Sequence, residues 1–544
     1  MTEFSKRELA NSSFLGGLLL LLCALTFYYF AVLRIDYQKT ALPDLRPYPD
    51  ATEYFAQAKG LSKGRWPSIQ IGYEKLPSRY PPGYPALMVS WLKILPQIRS
   101  VLAPFRTNQT IGLLLLLAVF SFYAYLAMPL TAGFATLLLA TLPAFFTFCR
   151  SSLSEISASA FVVSAFMFAY LGVKEERCWK IYLSAALLGL SLNIRIQSLF
   201  FAPILLAMAM LPMKGMRLRW LLRFAAVPII FLTAASPVLV LNTIQFGSPF
   251  KTGYDFWVPQ LGEKHVFFSF RYAPGHAGEL WRQLTLQPHT YDVVDIFGTG
   301  TSFVAGFVLL SCVGIFLIRP NWFLCCAFLA WLSSFLAGLC FLFGNDGRLY
   351  VPLLILMVSV AVLPVTWAAN NIFTGKRTII ALGVLILFAA VCLGYPSRSG
   401  YNTSGISHSQ AWDAFHFNTP RHKPPQFVAQ RHFQGRFRSQ PGIVLSDIDP
   451  VYLNALLPPS LVAAPIDGEH HYKWSHTWRY DKPQALALVE RGLAQALPIY
   501  ALFVSKQEME AKTVRLPHVD GYGWVLAEDP SAEAAILKLI PNNE

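Results

Sequence analysis

Long apolar runs separated by short polar stretches fill the first 395 positions of the chain. A helix needs about 20 residues to cross a bilayer. Runs of that order lie near 14–33, 110–127, 130–147, 156–173, 181–194, 196–212, 224–243, 299–318, 322–343, 348–367 and 378–395. The pattern predicts a polytopic α-helical membrane protein of about 11 transmembrane helices. The short pair 181–194 and 196–212 reads either as two spans or as one kinked unit. The stretch from Tyr84 to Pro96 is apolar but brief, bounded by prolines and marked by Trp91 and Lys93. It predicts a helix lying in the membrane interface rather than crossing it.

Beyond residue 395 the period changes. Gly442–Ser446, Leu461–Pro465 and Ile499–Val504 read as strands, with helices over 450–457 and 484–495 between them. A closing hairpin is expected around Gly521-Tyr522-Gly523, and 396–440 reads as an irregular connector. The expected division is therefore a transmembrane module over 1–395 and a C-terminal extracytoplasmic α/β domain over 396–544.

Composition narrows the class. Of 544 residues, 54% are hydrophobic and 14% charged, and the mean hydropathy is +0.44. Soluble domains carry about 25% charged residues, which excludes a soluble enzyme. The net charge of +14 is spread through short loops rather than gathered in a stripe, so it calls for no nucleic acid. Short basic loops stay in the cytoplasm. Lys6 and Arg7 put the N-terminus there, and Lys174, Arg177, Lys180, Lys214, Arg217, Arg219, Arg223, Arg319, Lys376 and Arg377 all fall on that side of the alternation. The loops 34–109 and 244–298 and the tail then lie outside. The first span is too long for a signal peptide and lacks a small-residue cleavage site, so it reads as a retained anchor. All eight cysteines sit in or beside apolar runs, and the tail has none, so it folds without disulfides. Adjacent Cys325 and Cys326 read as packing.

Candidate chemistry gathers on the outer face. Asp50 opens a helix in the first polar loop, with Tyr54 and Ala58 on the same face. Asp50 and Glu53 also have the spacing of a capping box, and a capping acid can still present an oxygen to a ligand. The loop ends in Arg79-Tyr80-Pro81-Pro82-Gly83-Tyr84-Pro85, a proline-aromatic clamp. Glu155 follows Ser152 and Ser154 between two spans, again with capping-box spacing. Two acids on one face could bind a divalent metal or divide the work of base and orienter. Arg195 and Arg348 interrupt apolar surroundings, where snorkelling and phosphate binding are both open. The turn Phe246-Gly247-Ser248-Pro249-Phe250 marks a rigid loop. The stretch Glu469-His470-His471 to His476 lacks metal-ligand spacing and reads as surface.

Asp50-x-x-x-Tyr54, the Tyr80-to-Pro85 clamp, Ser154-Glu155, the Phe-Gly-Ser-Pro-Phe turn and Arg348-Leu349-Tyr350-Val351-Pro352 together resemble the GT-C superfamily, over roughly residues 10–395. Within it, the bacterial relatives of protein mannosyltransferases and aminoarabinose transferases are the most similar. The resemblance implies a membrane glycosyltransferase of the bacterial inner membrane that uses a polyprenyl-phosphate sugar and a glycan, lipid or protein acceptor. It implies Asp50 and Glu155 as catalytic residues, and Tyr54, Arg79, Tyr80, Tyr84, Arg195, Arg348 and Tyr350 as substrate-binding ones. This loop has a single Asp before Thr52-Glu53 where many mannosyltransferases have a paired Asp-Glu, which leaves the acceptor open. Two other classes fit an apolar chain with an outer tail: a lipid-linked sugar flippase or transporter, and a non-catalytic scaffold subunit. Transporters show repeated halves and polar mid-membrane positions, whereas these spans are nearly free of charge.

Overall fold

A computed structural model describes residues 3–34, 50–95, 97–203, 217–259, 268–284, 335–342, 347–353, 425–437, 440–466, 482–527 and 534–542, with isolated positions between 332 and 363. The expected spans 299–318 and 378–395, most of 322–343, positions 204–212 of the expected span 196–212, part of 348–367, Cys325 and Cys326, and the histidines at 470, 471 and 476 lie outside the described residues. The chain forms two compact units: Met1–Ile35, Phe105–Val238 and Val266–Thr419 in the first, Asp36–Pro104, Leu239–His265 and Pro420–Glu544 in the second.

The first unit is helical. Among the described residues four helices are long and apolar enough to cross a membrane: Ser13–Leu33, Ser100–Tyr125, Glu155–Lys174 and Leu222–Phe246. The apolar run at 130–147 is not one span. It breaks into Pro129–Thr141 and Pro143–Cys149, because Pro143 forces Leu142 into an extended conformation with ψ 120°. The run at 181–212 is interrupted as well. The helix Cys178–Ile194 stops at Arg195, which is extended, and a 3-10 turn Ile196–Phe201 follows.

Small residues let the helices approach. A Cβ on Gly17 would stand within contact distance of the Pro129 carbonyl, so the helices Glu3–Tyr28 and Pro129–Thr141 cross nearly backbone to backbone. Asn193 is inserted into the neighbouring helix Arg217–Phe246 beside Pro237. Its Nδ2 donates to the Ala234 carbonyl at 2.8 Å and its Oδ1 accepts from Val238 N at 2.9 Å. Those are the two groups that a regular helix would pair with each other, so the side chain satisfies the backbone where proline disturbs it.

The second unit is an α/β layer. Five strands, β3 (Gly442–Ser446), β4 (Leu461–Pro465), β5 (Ile499–Phe503), β6 (Tyr522–Leu526) and β7 (Ala535–Pro541), lie in the order β4-β3-β5-β7-β6. β3 runs parallel to β4 and β5, while β7 is antiparallel to β5 and β6. The first three are buried at every position, as continuous apolar runs in parallel sheets require. Two expectations change. The residues Gly521-Tyr522-Gly523 enter β6 rather than forming the hairpin turn, which falls after Leu526. Within the expected connector, Pro425–Phe437 is an α-helix, whose Phe437 packs on Tyr500 with ring centroids 4.6 Å apart.

A small hairpin, β1 (Ile69–Ile71) and β2 (Glu74–Leu76), joins the early polar loop to this sheet. Ile69, Ile71 and Leu76 share a buried cluster with Ile443, Leu445 and Ala464. Asn454 fastens the junction. Its Nδ2 donates to the carbonyls of Gln70 at 3.0 Å and Ala463 at 2.8 Å, and its Oδ1 accepts from Ala463 N at 2.8 Å. Gly72 N donates to the same Ala463 carbonyl at 2.9 Å. Removing a side chain that satisfies several buried backbone groups costs about 1–3 kcal/mol. Asn454→Ala is expected to lower stability by that amount and to speed amide exchange first at residues 69–76; exchange that is unchanged there would show that the hairpin docks without it.

On the helix Asp50–Ser62, burial pulls the Lys59 ammonium from its ordinary 10.5 down to about 8, and Lys63 adds to the fall. The Phe55 ring, 5.6 Å from Nζ, offsets part of that cost. The unfolded chain holds this proton up to its ordinary value while the folded chain releases it near 8, so stability rises with pH through that window. Lys59→Met is expected to raise the melting temperature at neutral pH, with the gain shrinking as pH climbs toward the ordinary lysine range. A wild-type-minus-variant difference that stays flat with pH would refute the assignment.

Candidate functional site

In the second unit, Asp50 is the first residue of its helix, and its side chain is held from the clamp. Tyr80 donates its hydroxyl to Asp50 Oδ1 at 2.5 Å. Burial pushes the Tyr80 phenol well above its ordinary value, and the Asp50 carboxylate and Tyr254 push it further. The phenol therefore stays protonated at neutral pH and can act only as donor to the carboxylate. Three more tyrosines close around the pair. The Tyr54 ring lies 4.8 Å from Tyr80 and 5.1 Å from Tyr84, and Tyr254 stands edge-on to Tyr80 at 6.0 Å. Tyr84 donates to the Pro104 carbonyl. Such a group can take a proton from a hydroxyl at Asp50.

Beneath it sits a buried ion pair. Glu53 Oε1 accepts from Arg79 Nη1 at 2.6 Å, while Oε2 accepts from Ser78 Oγ at 2.6 Å and Arg79 N at 2.8 Å. The Arg79 guanidinium also covers the Trp257 ring at 4.9 Å. Glu53, read from sequence as half of a capping box, thus fixes the turn that presents Tyr80. Arg79, expected to contact substrate, is 2% exposed and has its Nη1 held by Glu53. Thr252 and Asp255 form a capping box that opens the helix Gly253–Trp257. A Cβ on Gly253 would overlap the Ser78 carbonyl, so this helix approaches the turn as only glycine permits.

The first unit holds a separate cleft. Glu155 is the first residue of Glu155–Lys174, after Ser154 as N-cap. The Ser152-Glu155 capping box expected from spacing does not set the helix start; Glu155 pairs with Arg195 Nη1 at 2.5 Å instead. A carboxylate 1% exposed needs such a partner. The extended backbone at Arg195 turns its side chain back toward Glu155. Glu155, Arg195, Gln197, Ser198, Phe200 and Tyr350 line the cleft. Three of the sequence candidates therefore meet: Glu155, Arg195 and Tyr350. Arg348 lies in the 3-10 turn Gly347–Tyr350, and its side chain is outside the described residues.

Asn108 was not among the sequence candidates. Its Nδ2 donates to the carbonyls of Ser151 and Leu153, and its Oδ1 accepts from Ser157. It locks the turn that delivers Glu155. It lies in the polar stretch Arg106-Thr107-Asn108-Gln109-Thr110 ahead of an apolar run, where nothing local sets it apart. Among the described residues no group of three or more His, Cys, Asp or Glu side chains converges to hold a metal ion.

No protein-family model and no curated protein matches this sequence. Solved structures do. ArnT from Cupriavidus metallidurans bound to undecaprenyl phosphate aligns at TM-score 0.60 and 12% identity, over 96% of this chain and 97% of that one. The apo state of ArnT from Cupriavidus metallidurans aligns at 0.56 and 12% identity with the same coverage of both chains. The apo Archaeoglobus fulgidus oligosaccharyltransferase aligns at 0.51 and 13% identity, over 94% of this chain and 73% of that one. Identities this low carry architecture and leave chemistry to the site. The chain shares its fold with ArnT and with the archaeal oligosaccharyltransferase.

Proposed function

We propose that this protein is a membrane glycosyltransferase that moves a sugar from a polyprenyl-phosphate donor to a hydroxyl of a glycan, lipid or protein at the extracytoplasmic face. The observation that carries the reading is the cleft in which Arg195, held by Glu155, stands beside Tyr350 at the head of a membrane-spanning helix. A guanidinium fits the oxygens of a phosphate bidentately. The ArnT structure bound to undecaprenyl phosphate has this fold over nearly its whole length.

The chemistry asked of the chain is modest. The acceptor oxygen forms a bond to the anomeric carbon as the bond from that carbon to the phosphate oxygen breaks. The electron pair leaves with the polyprenyl phosphate, and a single displacement inverts the anomeric configuration. In the second unit, Asp50, oriented by Tyr80, is the group able to take a proton from a hydroxyl. In the first unit, Arg195, held in place by Glu155, and Arg348 are the cations able to offset charge on a departing phosphate. A phosphate leaves as a stable anion, so the work is positioning and charge stabilisation rather than strong acid catalysis. The membrane is the bacterial inner membrane, with the N-terminus cytoplasmic and the C-terminal region outside.

The test supplies purified full-length protein in nanodiscs with radiolabelled polyprenyl-phosphate sugars and a panel of acceptors. Loss of a general base costs roughly 10²–10⁴-fold in rate, so Asp50→Asn is expected to fall by that factor with KM little changed. Arg195→Lys is expected to raise KM for the donor. Asp50→Asn turning over at the wild-type rate would remove Asp50 from the chemistry. Wild-type protein that moves no sugar from any donor in the panel would remove the reaction itself.

A further inference from the structure

We infer that the rim formed by Trp66 and Phe250 is a bilayer-docking surface that prefers anionic phospholipid headgroups. The helix Leu222–Phe246 is long and apolar enough to cross the membrane, so its last turn stands where hydrocarbon gives way to headgroups. Two hydrogen bonds tie loop backbone to that turn. Gln245 Nε2 donates to the Pro67 carbonyl at 3.2 Å, and Asn242 Nδ2 donates to the Pro249 carbonyl at 3.2 Å. Asn242 folds the chain back after Gly247, whose φ of 74° allows the reversal.

Adjacent to each tethered proline is a large aromatic left in the open: Trp66, before Pro67 and 52% exposed, and Phe250, after Pro249 and 86% exposed. Aromatic rings at such a depth favour the interface between hydrocarbon and water. Cations flank both rings. Lys63 and Arg65 precede Trp66, Lys251 follows Phe250, and all three are exposed. The acid nearest to Phe250 in the chain, Asp255, is turned onto Thr252 instead. An aromatic wedge flanked by three exposed cations complements anionic headgroups, where each cation contributes through the surface potential. The assignment is independent of which sugar, if any, the protein transfers.

The experiment places full-length protein in nanodiscs, with Phe250→Cys carrying an environment-sensitive fluorophore and the parent protein labelled in parallel as background. Phe250 lies on the surface, so its replacement leaves the core intact. Lipids bearing a nitroxide on the headgroup are expected to quench the label. Quenching is expected to grow as phosphatidylglycerol replaces phosphatidylcholine. With Lys63→Gln, Arg65→Gln and Lys251→Gln combined, the growth of quenching with phosphatidylglycerol is expected to be lost. A label that nitroxide lipids leave untouched and that aqueous iodide quenches as it does free dye would overturn the docking. Equal quenching in both lipids would overturn the anionic preference.

Discussion

A carboxylate sealed away from water survives as a charge only beside a cation, and both candidate clusters depend on that constraint. Glu53 is fully buried against Arg79, and Glu155 nearly so against Arg195. A buried pair contributes little net stability, because desolvation offsets most of its attraction. Breaking one strands the other, at a cost of about 3–5 kcal/mol. Such pairs therefore act as fixings of geometry. Glu53 sets the turn that aims Tyr80 at Asp50, and Glu155 sets the direction of Arg195.

The same logic extends to neutral polar groups. Asn108, Asn193 and Asn454 each take up backbone groups that their surroundings leave without a regular partner. Each joins segments distant in the chain. Three asparagines thus mark places where helix or sheet geometry is interrupted.

Much of this was legible in the sequence, and the reasons differ by element. Among the described residues four of the apolar runs reappear as helices long enough to cross a membrane, and the strands around β3 showed because parallel sheets demand unbroken apolar runs. Glu155 and Arg195 stood out as charges in apolar surroundings, and Asp50 as the acid that opens a helix in a polar loop. Their partners did not. Local spacing assigned Glu53 and Glu155 to capping boxes, and nothing local reveals an arginine 26 or 40 residues away. The break at Pro143 was hidden by the apolar run around it. The hairpin at Gly521 was misplaced because glycines mark strand entries as readily as turns.

The bond from Asn454 to Gln70 spans 384 positions, and that length bears on the order of synthesis. A ribosome completes β1 and β2 when most of the chain is still unmade. The strand on which they dock emerges only near the end, after the spans have been delivered to the bilayer. Contacts so remote in sequence form slowly, and the apolar faces of Ile69, Ile71 and Leu76 must wait through that interval. The segment bearing Asp50 is thus among the first parts made and among the last to be finished, which ties its readiness to completion of the whole polypeptide.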